Sequence, residues 1–281
     1  MRLLILLQTL KNSIMAKRTK KELAKKPTKK VVKEKRANAK QVVENETNEQ
    51  QLQSKENDKN LVSCLMLTYD RALQKPVPSI IFFENAVRNF TEQTYKDKEL
   101  IIVNSGSRAY YEKCCEILEK FKDFKISHFF VTRDEYPTIA DLRNKAVEEA
   151  TGDFIMTWDD DDKRSNTIIE MEMNALVENK ADMVMIQQIE VQMQLGRLPF
   201  PTNYYIGFEP SLLCKRTEKV KYFGEHSDTK YIEELKANGY KEFIISDNEN
   251  SDYTYCYWGT NITEKDRFTA MILVSQKRGG K

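Results

Sequence analysis

From Leu61 onward, apolar runs of strand length alternate with apolar positions at helical spacing, whereas residues 17–60 contain almost no large apolar side chains. Leu61-Val62-Ser63-Cys64-Leu65-Met66-Leu67 is a short, nearly continuous apolar run, the pattern of a strand buried on both faces. Ser79 to Gln93 then places Ile80, Phe83, Val87 and Phe90 at helical spacing, and Glu99 to Val103 forms the next apolar run. The pattern predicts a helix from Tyr110 to Lys122, with Tyr111, Cys114, Cys115, Leu118 and Phe121 inward, and a strand from Ile126 to Val131. A helix from Thr138 to Ala150 follows, and Thr151-Gly152-Asp153 supplies its stop before a strand from Phe154 to Trp158. Further along, the expected elements are a helix over Asn166 to Glu178, strands near Asp182 to Val191 and Phe208 to Cys214, a helix over Asp228 to Asn238, and strands around Phe243 and Tyr253. Strands alternating with helices predict an α/β fold with a mostly parallel central sheet.

Charge divides the chain differently. Residues 1–60 hold 16 Lys/Arg against seven Asp/Glu, and the remainder holds 29 against 36, so the net charge of +2 reflects the N-terminal segment. The expected organisation is a disordered basic and polar tail over residues 1–60, one α/β domain over 61–265 and a C-terminal tail over 266–281. A basic block such as Lys17 to Arg36 suits either an anionic partner, nucleic acid or a membrane surface, or a purely solubilising role. The apolar run Leu3 to Leu7 is shorter than a signal-peptide core and far shorter than a membrane span. Five cysteines without a CxxC pair read as reduced thiols of a cytoplasmic protein. With only His128 and His226 present, acid and base chemistry falls to carboxylates.

The most informative chemistry is the run Trp158-Asp159-Asp160-Asp161-Asp162, directly after the apolar residues Phe154-Ile155-Met156. Adjacent carboxylates at the end of a strand repel one another unless a cation lies among them, and hard oxygen ligands suit Mn²⁺ or Mg²⁺. A solvated acidic turn is the plain alternative. A calcium loop is excluded, because Lys163 and Arg164 occupy positions where a ligand and a turn glycine are needed. In a parallel sheet, ligands bind at the carboxyl ends of strands, and three polar clusters fall there: Thr68-Tyr69-Asp70-Arg71, Asn104-Ser105-Gly106-Ser107 and Asp159 to Asp162.

Taken in order, these segments resemble the family-two glycosyltransferases of GT-A fold. The resemblance spans Leu61 to about Thr263 and rests on Leu67-Thr68-Tyr69-Asp70-Arg71, Gln93-Thr94-Tyr95 with Glu99 to Val103, Asn104-Ser105-Gly106-Ser107, Leu142-Arg143-Asn144 with Ala150 to Ile155, and the Asp tetrad. It implies a nucleotide-diphosphate sugar donor, by default a UDP-sugar, and an acceptor hydroxyl of unspecified class. By the same resemblance Asp159 and Asp161 hold Mn²⁺ or Mg²⁺, while Thr68, Tyr69, Arg71, Asn104, Arg143 and Asp160 serve the donor. For Tyr69 packing, and for Arg143 a helix-surface charge, stand as alternatives. The base that takes the acceptor proton is placed at Asp228, with Glu225 the second candidate and a helix N-cap the structural alternative for Asp228.

Three departures from the family pattern stand out. Asp70 stands where Asn is common, with an added charge that nothing local explains. Asn104-Ser105 replaces the usual acidic pair, and Trp258 stands where a histidine often precedes Gly259, either stacking on a sugar or packing. The changes at Asn104-Ser105 and Trp258 slightly favour the rival reading, a non-catalytic binding protein on the same scaffold, while the intact Asp159 and Asp161 and a candidate base count against it. A nucleotidyltransferase shares the architecture, but residues 67–77 lack the glycines of its phosphate loop.

Overall fold

In the computed structural model the chain divides into Met1–Glu56 and Asn57–Lys281. The structure describes residues 60–71, 79–193, 200–203 and 207–257, all in the second unit. The expected tails and Trp258 lie outside the described residues.

A seven-stranded sheet forms the middle of the fold. It is built from β1 (Val62–Thr68), β2 (Lys98–Asn104), β3 (Ile126–Phe130), β4 (Phe154–Thr157), β6 (Met183–Ile186), β9 (Leu213–Lys215) and β10 (Glu242–Ile245), in the order β10-β6-β9-β4-β1-β2-β3. β1 pairs in parallel with both β2 and β4, β2 with β3, and β10 with β6. Only β9 runs antiparallel, between β4 and β6.

Alternation along the strands feeds two cores. Val62, Cys64, Met66, Leu100 and Ile102 face α1 (Ser79–Thr91), α2 (Arg108–Leu118) and α4 (Ile168–Glu178), which contribute Phe83, Val87, Phe90, Cys114, Ile117, Ile168 and Met173. Leu65, Ile101, Val103, Ile155 and Met183 face α3 (Ile139–Glu149) and α5 (Ser227–Ala237), through Leu142, Ala146, Tyr231 and Leu235. The result is a three-layer α/β/α fold, with helices on both faces because strands buried on both sides need two covers.

Three expectations are corrected. The stretch Asp182 to Val191 is two strands rather than one, since β6 ends at Ile186 and β7 (Gln188–Met193) joins a second sheet. That sheet also contains β5 (Lys163–Arg164), β8 (Phe200–Asn203) and β11 (Tyr253–Tyr257), in the order β5-β11-β7-β8. The side chain of Asn248 captures both the N–H and the carbonyl of Gln188, at 3.1 and 2.7 Å, and diverts the chain there. Phe208 to Cys214 is a 3₁₀ turn at Glu209–Ser211 followed by β9, because Pro210 cannot donate to a ladder. Finally, Ser107 caps α2, so the helix starts at Arg108 and buries Tyr110, Cys114 and Ile117 rather than Tyr111 and Cys115.

This topology places the site. From β1 the chain moves to β2 and β3 on one side and reaches β4 on the other, and in open α/β sheets ligands bind beyond the carboxyl ends of the strands at such a reversal. Thr68 ends β1 there and Asp159 follows β4.

Candidate functional site

The acidic turn starts from a fixed anchor. Trp158 is fully buried, its backbone N–H donates to the Leu65 carbonyl at 3.0 Å, and its indole N–H donates to the Ala86 carbonyl at 3.2 Å. The four aspartates that follow have four different environments.

Asp160, at 1% side-chain exposure, is held from the β1 side: the Thr68 hydroxyl donates to its Oδ2 at 2.7 Å and Arg71 Nη2 to its Oδ1 at 2.6 Å. Asp162 is held from β11, accepting from the Tyr253 hydroxyl at 2.6 Å and from the Cys256 N–H at 2.9 Å. Burial, reinforced by the charges of Asp161 and Asp159, pushes the Asp162 carboxyl well above its usual range. Asp159 and Asp161 are the more open pair, with side-chain exposures of 26% and 13%. Burial opposes ionisation of Asp159, but the positive charges of Arg143 and Arg164 outweigh it and hold the carboxyl below its usual range.

Arg143 comes from α3, whose start is fixed by a capping box between Thr138 and Asp141. It is buried rather than on the helix surface. Its Nη2 donates to Asp159 Oδ1 at 2.8 Å, and its Nε lies 3.6 Å from Asp228 Oδ1. Asp228 sits in the first turn of α5, but the residue at the cap position is His226, in the left-handed conformation at φ 55°, so Asp228 is not the N-cap. Its side chain is 37% exposed. Burial raises its carboxyl pKa, Arg143 pulls it down, and the nearby charges of Asp159 and Glu209 add to the rise. Glu209 accepts from the Thr229 hydroxyl at 2.8 Å. Glu225 is exposed on the turn that precedes α5.

Opposite lies the loop after β2. Asn104 is fully buried and both ends of its amide are engaged: Oδ1 accepts from Gly106 N–H at 2.9 Å, and Nδ2 lies 3.2 Å from His128 Nε2. Burial lowers the His128 pKa to about 4, so the ring is neutral and accepts from this amide. A Cβ on Gly106 would come within 2.8 Å of the Tyr110 ring and 3.0 Å of the Asp70 nitrogen, which makes glycine necessary for the close approach of the two loops. Asp70 Oδ1 accepts from Ser107 N–H at 3.1 Å, so the acidic side chain ties the first loop to the second. The Arg71 guanidinium lies over the Tyr69 ring at 4.7 Å.

The structure therefore brings Thr68, Tyr69, Arg71, Asp159, Asp160, Asp161, Arg143 and Asp228 together, linked by the contacts of Asp160 with Thr68 and Arg71, of Arg71 with Tyr69 and Asp161, and of Arg143 with Asp159 and Asp228. Several buried donors there lack hydrogen-bond partners, namely Arg71 Nη1 and Arg143 Nε and Nη1, as does the acceptor Asp228 Oδ1. Among the described residues no group of three or more His, Cys, Asp or Glu side chains is arranged to hold a metal. Asp159 and Asp161, the more exposed pair although each faces a guanidinium, Arg143 at 2.8 Å and Arg71 at 3.9 Å, are the carboxylates that could hold an ion of the Mg²⁺ or Mn²⁺ kind, which is commonly held by one or two carboxylates with substrate phosphates completing its shell.

Sequence reasoning missed Tyr110, Arg164, Tyr253 and Glu209. Tyr110 lies 2.9 Å from the Thr68 hydroxyl, and Arg164 donates to the Asp159 carbonyl at 3.2 Å and to the Tyr253 hydroxyl at 2.9 Å. Arg164 lies two residues beyond the tetrad and carried a detectable signal. Tyr253 is 91 residues from Asp162 and carried none.

Comparison with known proteins identifies the family and the fold. The model of the family described as "Glycosyl transferase family 2" matches residues 81–234. The chain is 31% identical over 137 residues to a cholesterol galactosyltransferase of Borreliella burgdorferi, a match covering 44% of this chain and 37% of that protein. It is 30% identical over 121 residues to an uncharacterized glycosyltransferase of Haemophilus influenzae, covering 42% and 43% respectively. The chain thus spans less than half the length of these relatives. Among solved structures, S. aureus TarS 1-349 in complex with UDP-GlcNAc superposes with a TM-score of 0.55 at 14% identity, over 76% of this chain and 65% of that one. The same protein in complex with UDP gives 0.55 at 16% identity, over 70% and 60%. These likenesses show the fold, GT-A.

Proposed function

The chain belongs to glycosyl transferase family 2, and from that membership we propose that it transfers a sugar, with inversion and with help from a divalent cation, from a UDP-sugar to an acceptor hydroxyl. One observation carries the reading: Arg143 joins Asp159 of the acidic turn to Asp228 of α5, so the donor end and the base end of a displacement meet at one side chain.

In this reading Asp159 and Asp161 hold Mn²⁺ or Mg²⁺, which when bound supplies Lewis-acid stabilisation to the departing diphosphate. Thr68 and Asn104, whose polar groups are already engaged within the protein, serve the donor by holding the walls of its site. Tyr69 and the Arg71 stacked on it form the wall beside the nucleotide, and the unpartnered N–H groups of Arg71 and Arg143 suit the diphosphate charge. Asp160 orients Arg71. The acceptor oxygen attacks the anomeric carbon, the bond from that carbon to the diphosphate oxygen breaks with the electron pair leaving on UDP, and the acceptor proton passes to Asp228. A raised carboxyl pKa makes Asp228 a better base, and although its Oδ1 faces Arg143 Nε at 3.6 Å, the 37% exposure of the side chain leaves it within reach of an incoming hydroxyl. Glu225 is exposed on the turn before α5 whereas Asp228 is paired with Arg143, which favours Asp228 over it.

The Borreliella relative is named for galactose transfer to cholesterol, which makes UDP-galactose the first donor to assay and a sterol the first acceptor; UDP-GlcNAc is the second donor. No helix among the described residues is long and apolar enough to cross a membrane. The test is UDP release from these donors with and without Mn²⁺. Metal-dependent release is expected. Absence of both release and metal-dependent UDP binding would return the chain to the non-catalytic reading.

A further inference from the structure

The far end of the acidic turn is held from β11 by a chain of hydrogen bonds that the transfer reaction does not use. Tyr253 is fully buried, its ring centroid 5.1 Å from that of Phe208 in edge-to-face contact, and a phenylalanine would serve this packing as well. Its hydroxyl is the part that needs an explanation. Arg164, in β5, can only donate, and its Nη2 donates to that hydroxyl at 2.9 Å, so the hydroxyl proton goes on to Asp162 Oδ2 at 2.6 Å. The Pro210 carbonyl, at 3.5 Å, is too distant to compete for it. Cys256 N–H donates to the other oxygen of Asp162, Oδ1, at 2.9 Å.

The guanidinium that Tyr253 engages also reaches the near end of the turn. Arg164 Nη1 donates to the Asp159 carbonyl at 3.2 Å and Nη2 to the Thr157 carbonyl at 3.4 Å, while the guanidinium lies 4.5 Å from the Trp158 ring and 4.6 Å from that of Tyr253. Tyr253 is thus bound to both ends of the turn, to Asp162 directly and to Asp159 through Arg164. Asp162, with both oxygens accepting from β11, is buried, which sets it apart from the more open Asp159 and Asp161.

We propose that the Tyr253 hydroxyl is a positioning group for the acidic turn: it fixes Asp162 as an anchor on β11 and steadies Arg164 against Asp159, so that the Asp159 and Asp161 carboxylates are presented to the cation. Tyr253 acts through Asp162 and Arg164, not on the cation itself. Groups behind metal-binding carboxylates set affinity by orienting them, and loss of one typically costs about 10- to 100-fold. Packing of the ring explains none of these hydrogen bonds, because burying a hydroxyl is costly unless it has partners to satisfy.

This inference rests on the assignment of Asp159 and Asp161 to a cation, and its test separates the two. The full chain is prepared as wild type, Tyr253→Phe, Asp162→Asn, the Tyr253→Phe/Asp162→Asn double variant, Asp161→Asn and Gly152→Ala. The last is a control, since its added Cβ would meet the Leu61 carbonyl at 2.4 Å, outside the turn. Amide hydrogen exchange over Asp159–Asp162 is measured without metal, and Mn²⁺ binding in the presence of UDP is then followed by electron paramagnetic resonance. Tyr253→Phe is expected to speed exchange in the turn several-fold and to weaken Mn²⁺ binding about ten-fold, whereas Gly152→Ala changes neither. Asp162→Asn should speed the same exchange and weaken binding no more than Tyr253→Phe, while Asp161→Asn should abolish binding. The double variant should lose no more than its more affected parent, because the two residues act as one unit. Exchange in Tyr253→Phe no faster than in wild type or Gly152→Ala overturns the proposal, as do additive losses in the double variant. A loss of binding in Asp162→Asn as complete as in Asp161→Asn also overturns it, because Asp162 would then be a ligand. Should Tyr253→Phe fail to fold, exchange in Asp162→Asn decides. A wild type that binds no Mn²⁺ sinks the metal assignment instead, while the metal-free exchange still decides the role of Tyr253.

Discussion

Arg143 Nε lies 3.6 Å from Asp228 Oδ1, which ties a buried guanidinium on α3 to a half-buried carboxylate at the start of α5. Because the same guanidinium donates to Asp159 at 2.8 Å, the acidic turn and the base candidate share one positive charge. Changes at either carboxylate are therefore felt at the other.

Replacing Arg143 with Met removes the charge that holds the Asp228 pKa down, while burial still raises it. The acid limb of the kcat/KM profile should move to higher pH, since the base must be ionised and now protonates earlier on acidification. Turnover at neutral pH should fall by about 100-fold or more. A pH profile over pH 5 to 9 checks this, and an unmoved acid limb would separate Arg143 from the base.

Asp228→Asn should lower turnover by about 10²- to 10⁴-fold, the span associated with a general base, while UDP affinity in the presence of Mn²⁺ stays within about three-fold of wild type. A large loss of affinity instead would place Asp228 in donor binding. Glu225→Gln, altering an exposed side chain, should leave both quantities near wild type.

Thr68→Val keeps shape but strips Asp160 of a 2.7 Å hydrogen bond and Tyr110 of a 2.9 Å neighbour. With the Asp160 side chain almost fully buried, the expected cost is about 1–3 kcal/mol of stability, read by denaturant unfolding. Donor affinity should fall as well, because Arg71 shares Asp160.

Glu172 makes stability depend on pH. Its folded-state pKa is raised well above the ordinary 4.5, so its stabilising contribution is complete below pH 4.5 and is lost as pH rises toward the folded value. Glu172→Gln should therefore gain stability over wild type at pH 8 and not at pH 4. Thermal midpoints at the two pH values test this, and an equal difference at both would contradict it.

Gly152→Ala should destabilise the fold by about 1–3 kcal/mol without changing the chemistry. The added Cβ would meet the Leu61 carbonyl at 2.4 Å and the Ser63 hydroxyl at 2.7 Å, beside the buried Glu99 carboxylate that already gathers Ser63, Thr151 and Gly152. Lowered stability with an unaltered pH profile is the expected signature.

Much of this was legible in the chain because β1, β2 and β4 are nearly unbroken apolar runs, and the tetrad follows one of them directly. Local signals also marked α3, where Thr138 and Asp141 cap the helix and Arg143 falls on its buried side. What stayed hidden depends on contacts distant in sequence. Asn248 splits β6 from β7 from 60 residues away, and Tyr253 reaches Asp162 across 91. Arg143 and Arg164 are both buried, and burial turns each guanidinium into an organiser of carboxylates, which no local pattern announces. Asp70 offered no local explanation. It is accounted for by the N–H of Ser107 on the opposite loop, at 3.1 Å.

The most direct test is calorimetric titration of UDP into wild type and Asp161→Asn, each with and without Mn²⁺. The proposed site predicts that Mn²⁺ tightens UDP binding at least about ten-fold in wild type and has no effect in the variant. Equal UDP affinity in all four titrations would contradict a cation held by the acidic turn.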